Sequence, residues 1–264
     1  MRVLLTNDDG IEAEGLQTLR RALLRLEDVD LAVVAPDGNR SAFARMITTR
    51  RPLWVEEVGF EDGTSGFQTD GTPVDCVRLA ALGLIDGFEP DVVVSGINHG
   101  VNLGDDITYS GTVAAALEAL ILGLPGIAVS QHLDGQASFD AAADFAARVV
   151  EQLADVPLPE GTLLNINVPA SEPGGVEVTR LGKRIYHDEL KLDDEDEGGR
   201  RRYSIYGADA GFHHDEEGTD LAAVHAGRIA VTPVHFDLTD VAGMDALTRY
   251  DLARLLEPAA REVE

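Results

Sequence analysis

Five short candidate strands, most of them continuous Val/Ile/Leu runs, recur along the first two-thirds of the chain: Val3–Thr6, Leu31–Ala35, Asp91–Ser95, Gly126–Ser130 and Thr162–Val168. Runs of that length without polar alternation mark strands covered on both faces, whereas the stretches between them carry helix-period apolar spacing. That spacing predicts helices over Ala13–Leu26, Val74–Ile85, Thr112–Leu122 and Phe139–Leu153. Repeated strand–helix alternation points to one α/β architecture, a doubly wound, mostly parallel sheet in a Rossmann-like three-layer arrangement.

The rhythm breaks twice. Pro52–Val55 reads as an extra strand followed by a glycine-rich turn through Gly63 and Gly66. After Val178, the segment Lys183–Arg202 holds Asp188, Glu189, the acidic run Asp193–Glu197 and then Arg200–Arg202. So charge-dense a stretch cannot bury a core of its own and is expected as a solvated loop, a hairpin or an inter-subunit arm. A strand, Ile229–Val234, and an amphipathic helix, Met244–Leu256, close the chain. The expected organisation is a core over 1–182 and a C-terminal extension over 183–264.

Composition limits the partners. Against 47 acidic residues stand 21 basic ones, for a net charge of −26, and only Lys183 and Lys191 are lysines. A nucleic-acid polymer is therefore not the expected main substrate. Such a charge repels itself in dilute buffer and is screened at molar salt, where the Debye length is about 3 Å, so a salt-adapted protein is expected. No 18-residue apolar stretch argues for a membrane span, and Asn7-Asp8-Asp9 interrupts the apolar run after Arg2 too early for a secretory leader. A cytoplasmic location is expected. The single cysteine, Cys76, rules out an intramolecular disulfide and is expected in the core, with Trp54 and the leucines of 13–26 also read as packing residues.

In open α/β sheets ligands sit beyond the carboxyl ends of the strands. Three such ends carry oxygen donors: Asn7-Asp8-Asp9-Gly10, the segment Pro36-Asp37-Gly38-Asn39-Arg40-Ser41, and Gly96-Ile97-Asn98-His99-Gly100-Val101-Asn102-Leu103-Gly104. Asp-Gly is a common turn, and an aspartate ahead of a helix is commonly a cap, so no one of these motifs decides the matter alone. Together the carboxylates of Asp8 and Asp9, the Ser41 hydroxyl and the Asn98 amide are hard donors suited to Mg²⁺, Mn²⁺ or Ca²⁺. Metal-assisted hydrolysis of a phosphate ester is the reaction class that follows. Ser110-Gly111-Thr112 opens a helix, where free N–H groups and the helix dipole suit a phosphate. Gly71-Thr72-Pro73 opens another, and its hydroxyl either faces the same cleft or caps the helix. His99, inside the glycine loop, is within reach of substrate, and His213-His214 is read as solvated.

The ordered set TNDDG, VVAPDGNRS, DGTPVDCV, VSGINHGVNLG and YSGTVAAALEA, spanning residues 6 to 119, resembles the SurE family, the stationary-phase survival-protein nucleotidases. The likeness continues through LLNINVP (163–169) and VTPVHFDLT (231–239). The resemblance implies a phosphatase acting on nucleoside 5′-monophosphates, and on 3′-monophosphates as well, with one divalent cation per subunit, Mg²⁺ or Mn²⁺. It places the metal ligands on Asp8, Asp9, Ser41 and Asn98. In this picture Asp8 or Asp9 takes the proton of the attacking water, while Asn102, Ser110, Gly111 and Thr112 steady the phosphate. It further implies a homodimer or homotetramer that exchanges C-terminal extensions. Val101, where many relatives carry proline, and the bulky stretch Phe43–Met46 depart from the pattern and bear on substrate preference. Two other chemistries fit the same residues: Asp8 as a covalent nucleophile, or a metal- and nucleotide-binding sensor without turnover.

Overall fold

The computed structural model describes residues 1–134, 138–185, 189–205, 211–212 and 216–256. Asp188, His213 and His214 lie outside them. Among the described residues no helix is long and apolar enough to cross a membrane.

The strands are β1 (Arg2–Thr6), β2 (Asp30–Pro36), β3 (Val55–Gly59), β4 (Ser65–Thr69), β5 (Val92–His99), β6 (Gly126–Gln131), β7 (Thr162–Val168), β8 (Val176–Val178), β9 (Arg184–Ile185), β10 (Lys191–Glu195), β11 (Arg201–Ser204), β12 (Gly211–Phe212) and β13 (Ile229–His235). Nine of them form one sheet in the order β3-β4-β2-β1-β5-β6-β7-β13-β8. From β4 to β7 the pairings are parallel, while β3 on β4 and β13 on β7 are antiparallel. The closing strand thus joins the main sheet between β7 and β8.

Leaving β1, the chain runs outward to β2 and later returns to lay β5 on the other side of β1. The strand order reverses there, so the crevice at the carboxyl ends of β1 and β5 is the topological switch point. Alternating side chains of β1 serve the two layers: Val3 and Leu5 pack under α1 (Glu14–Leu23) and α4 (Asp140–Leu153), Leu4 under α2 (Pro73–Ala81) and α3 (Gly111–Ile121). Leu16, Leu19, Leu23 and Cys76 are fully buried in these layers, as their helical spacing predicts.

Three expectations are corrected. Gly66 is not in a turn but inside β4, where an added Cβ would meet the Val33 Cβ at 3.0 Å; Ser65-Gly66-Phe67-Gln68-Thr69 carries too little alternation to read as a strand. Trp54 does not pack: it is 81% exposed just ahead of β3. The helix expected over Met244–Leu256 is instead α6 (Val241–Leu247) and a separate 3₁₀ turn, Leu252–Leu256, all without burial. With no surface to pack on, helical periodicity does not hold a long helix together. Within the charge-dense segment, β10 and β11 form an exposed antiparallel hairpin. The short helix α5 (Asp220–His225) has no counterpart in the sequence reading.

Candidate metal and phosphate site

β1 ends in a turn closed by Asn7, which is wholly buried. Its side-chain amide donates to the Gly10 carbonyl at 2.8 Å, and its oxygen accepts from the Gly10 N–H at 3.2 Å. Gly10 takes φ +109°, and an added Cβ would stand 3.0 Å from the Gly38 Cα, so only glycine fits. The turn sends the two adjacent carboxylates to different neighbours. Asp8, 4% exposed, accepts a 2.6 Å bond from the Thr112 hydroxyl at the start of α3. Its Oδ2 lies beside Gly111, where an added Cβ would come within 2.9 Å. Asp9 accepts from the Asn39 side chain and from the His99 N–H, both at 3.1 Å, and so joins the loops after β2 and β5.

The same bonds place the other expected donors. Asn39 turns its Oδ1 to the Ser41 N–H at 2.8 Å, and the Arg40 N–H donates to the Asp8 carbonyl at 2.6 Å. Asn98 is the penultimate residue of β5, next to His99, and donates its amide to the Gly100 carbonyl at 2.8 Å. The His99 ring meets Phe139 edge-on, its centroid 6.4 Å away. Ser110 caps α3, its hydroxyl accepting from the Val113 N–H at 3.1 Å, and the N–H groups of Gly111 and Thr112 fall outside the intrahelical ladder. Thr72 is a cap: it and Asp75 form a capping box on α2.

Asn102 has a different set of partners from those expected of a phosphate contact. Its side-chain amide donates to the Ser130 hydroxyl at 2.7 Å and its N–H to Asn167 Oδ1 at 2.7 Å. Its carbonyl accepts from Asn165 and Asn167, both at 2.9 Å. The buried asparagines of β7 thus clamp the glycine loop through Asn102.

Burial drives the Asp8 carboxyl up from the ordinary value of 3.8 to about 6, against the pull of the Thr112 hydrogen bond and with a further push from the Asp9 charge. Neither Asp8 nor Asp9 has a cationic side chain paired with it among the described residues. An acidic pair left without a counter-charge in a crevice fits a cation. Among the described residues no cluster of three or more His, Cys, Asp or Glu side chains offers a metal site, so a cation here would complete its shell from hydroxyl, amide and water oxygens, as Mg²⁺ and Mn²⁺ do.

The four buried carboxylates among the described residues are Asp8, Asp75, Glu118 and Asp220. The last three support the loops around the first. Asp75 accepts from the N–H and hydroxyl of Thr48, at 3.0 and 2.7 Å, and holds the end of the Ser41 loop. Glu118 binds Arg45 of that loop. Asp220 accepts from the N–H groups of Gly104 and Gly182, each at 2.8 Å, and of Leu221 at 2.9 Å. Burial pushes the Asp220 carboxyl up while these backbone N–H groups pull it down. Only Asp75 had a local signal, its place three residues after a helix-capping threonine. A cavity of about 570 Å³ lined by Val101, Leu103, Pro169, Leu221 and Val224 shares the glycine loop with the site but none of its expected ligands.

The family model described as survival protein SurE matches residues 3–188. A 5′-nucleotidase SurE of Rubrobacter xylanophilus is 54% identical over 268 residues, covering 97% of this chain and 99% of that protein. One of Chloroflexus aggregans is 47% identical, covering 95% and 99%. Among solved structures, the SurE protein of Aquifex aeolicus superposes with a TM-score of 0.80 at 40% identity, covering 94% of this chain and 98% of that one.

Proposed function

The chain belongs to the SurE family, and on that premise we infer that it is a 5′-nucleotidase acting at the switch-point crevice. It is a metal-dependent phosphomonoesterase of nucleoside monophosphates, releasing nucleoside and phosphate. The observation that carries the placement is the Asp8–Asp9 pair, without a cationic partner among the described residues and touching the first turn of α3. In our reading Asp8, Asp9, Ser41 and Asn98 hold one divalent cation, Mg²⁺ or Mn²⁺. When bound, such an ion lowers the pKa of water and offsets phosphoryl charge. The N–H groups of Gly111 and Thr112 and the Ser110 cap receive the phosphate. Asp9 or Asp8 accepts the proton of the attacking water, and 3′-monophosphates are substrates alongside the 5′ ones.

The test is phosphate release from 5′-AMP and 3′-AMP by EDTA-stripped protein, with Mn²⁺ or Mg²⁺ restored. Asp9→Asn is expected to lose more than about 100-fold, the upper end of what removal of an outer-shell partner costs a metal site. Full turnover by that variant at saturating metal would refute the ligand assignment. No turnover by folded wild-type protein with either metal would favour a nucleotide-binding sensor. Trapping of a phosphoryl group on Asp8 in rapidly quenched turnovers distinguishes an Asp8 phosphoryl-enzyme from direct water attack, which leaves the enzyme unlabelled.

Two further proposals rest on the surface. The extension over 183–264 assembles a homodimer or homotetramer; Leu238, Val241, Met244, Leu247, Leu252 and Leu255 all stand exposed on it. The protein is salt-adapted, since a net charge of −26 repels itself in dilute buffer and is screened most fully at molar salt, where the Debye length is about 3 Å. Its melting temperature is expected to rise steadily from dilute buffer to molar KCl, and a flat or falling curve would sink this reading.

A further inference from the structure

We infer that Arg45 is a positioning residue for the metal-binding loop: clamped between Glu118 and Phe236, it holds in shape residues 39–48, the loop that carries Ser41 and whose Asn39 and Arg40 bond Asp9 and Asp8. The inference rests on the functional reading above.

The loop carries little of its own support. Ser41, Ala42 and Phe43 are exposed, and Ala42 and Ala44 take φ of 61° and 49°, a left-handed conformation that alanine avoids. Such backbone persists only where the surroundings impose it. Both ends of the loop are tied down. At its start, Arg40 N–H donates to the Asp8 carbonyl; at its end, the Thr72 hydroxyl donates to the Met46 carbonyl at 2.7 Å and Thr48 binds Asp75. Between the ends the side-chain anchor is Arg45. Its Nη2 donates to Glu118 Oε2 at 2.8 Å, and its guanidinium lies 4.6 Å from the centre of the Phe236 ring.

Glu118 is 1% exposed and sits on α3, the helix whose first turn bonds Asp8 through Thr112. Six residues of helix, about 9 Å, separate the two contacts. One rigid element therefore sets the distance between the Asp8 turn and the Ser41 loop. Phe236 follows β13 at the root of the exposed C-terminal segment, so the same guanidinium also touches the start of the extension.

Glu118 has a second partner, Arg78 of α2, whose Nη2 stands 2.5 Å from Oε1. This makes the inference separable from stability alone. Removing Arg45 leaves the buried carboxylate paired with Arg78, and removing Arg78 leaves it paired with Arg45. A buried charge is never stranded in either case.

The experiment measures Mn²⁺ affinity by calorimetric titration of EDTA-stripped protein, for wild type, Arg45→Met, Arg45→Lys, Arg78→Met and Asp9→Asn, beside melting curves. Arg45→Met is expected to bind Mn²⁺ about 10- to 100-fold more weakly, the range for loss of an outer-shell support. Arg45→Lys, which keeps the charge but not the planar stack on Phe236, is expected between it and wild type. At saturating Mn²⁺ the kcat of Arg45→Met is expected to return toward the wild-type value. Arg78→Met is expected to lose thermal stability while keeping wild-type Mn²⁺ affinity. Wild-type affinity in both Arg45 variants, or equal weakening in Arg78→Met, would overturn the inference while leaving the functional reading intact. Failure of wild-type protein to bind Mn²⁺, or full binding by Asp9→Asn, would overturn that reading and this inference with it.

Discussion

Metal-free Asp8→Asn protein is expected to melt above the wild type at pH 8 while releasing no phosphate from 5′-AMP when metal is restored. Asp8 titrates at about 6 in the folded protein, against 3.8 ordinarily, chiefly because burial penalises its charge. Between those two pH values the folded state binds more protons than the unfolded one. Its stability therefore falls as pH rises from about 4 to about 6 and stays reduced above that. A gap of about two units corresponds to about 3 kcal/mol. Asparagine carries no charge and can still accept the Thr112 hydroxyl, so the variant recovers much of that amount. At about 2–4 °C per kcal/mol for a chain of this size, the expected gain is several degrees. Melting curves in EDTA across this pH range check it: the two proteins should coincide near pH 4 and diverge toward pH 6. A variant melting at or below wild type at pH 8 would contradict the assignment of Asp8 as a destabilised, functionally retained charge.

Asp220→Ala should act in the opposite direction, through the fold. The carboxylate is wholly buried and accepts three backbone N–H groups, two of them from segments 116 and 38 residues away. Truncation leaves those N–H groups without an acceptor, at about 1–3 kcal/mol each before relaxation. The expected loss is about 3–5 kcal/mol, or roughly 10 °C in melting temperature. Because Gly104 closes the loop that begins at Asn98, activity at temperatures well below the melt should fall too. Asp220→Asn, which retains one acceptor oxygen, should lose about half as much stability. Urea unfolding decides the matter: a loss below about 1 kcal/mol in Asp220→Ala would show that water or relaxation replaces the carboxylate.

Much of the candidate site's local geometry was legible because strand ends are local features. The apolar run of β1 stops at Asn7, and the donor-rich turn follows at once. The same held at Ser41 and Asn98, and at the α3 start, where small residues precede an apolar helix. Legibility failed where a residue's role depends on a distant partner. Glu118 reads as one polar position in an alanine-rich helix, yet it meets Arg45 across 73 residues. Asn102 reads as a loop amide, yet it is fastened to Asn167, 65 residues on. β4 was missed because its glycine, unremarkable in isolation, is required by contact with Val33 of β2. Trp54 shows the converse: a large apolar side chain at a strand start finds no layer above it.

Read by itself, the sequence determined the three-layer class, the order of its principal strands and helices, and the turn that presents Asp8 and Asp9. Periodicity and turn chemistry operate over about ten residues, so any stretch that long carries the information. Only the tertiary structure decided that β1 and β5 lie side by side at the switch point, that α3 spans from Asp8 to Arg45, and that Asp220 braces the glycine loop. A buried charge or amide is stabilised by whichever donors the topology brings within about 3 Å, and that neighbourhood does not exist until the strands have paired.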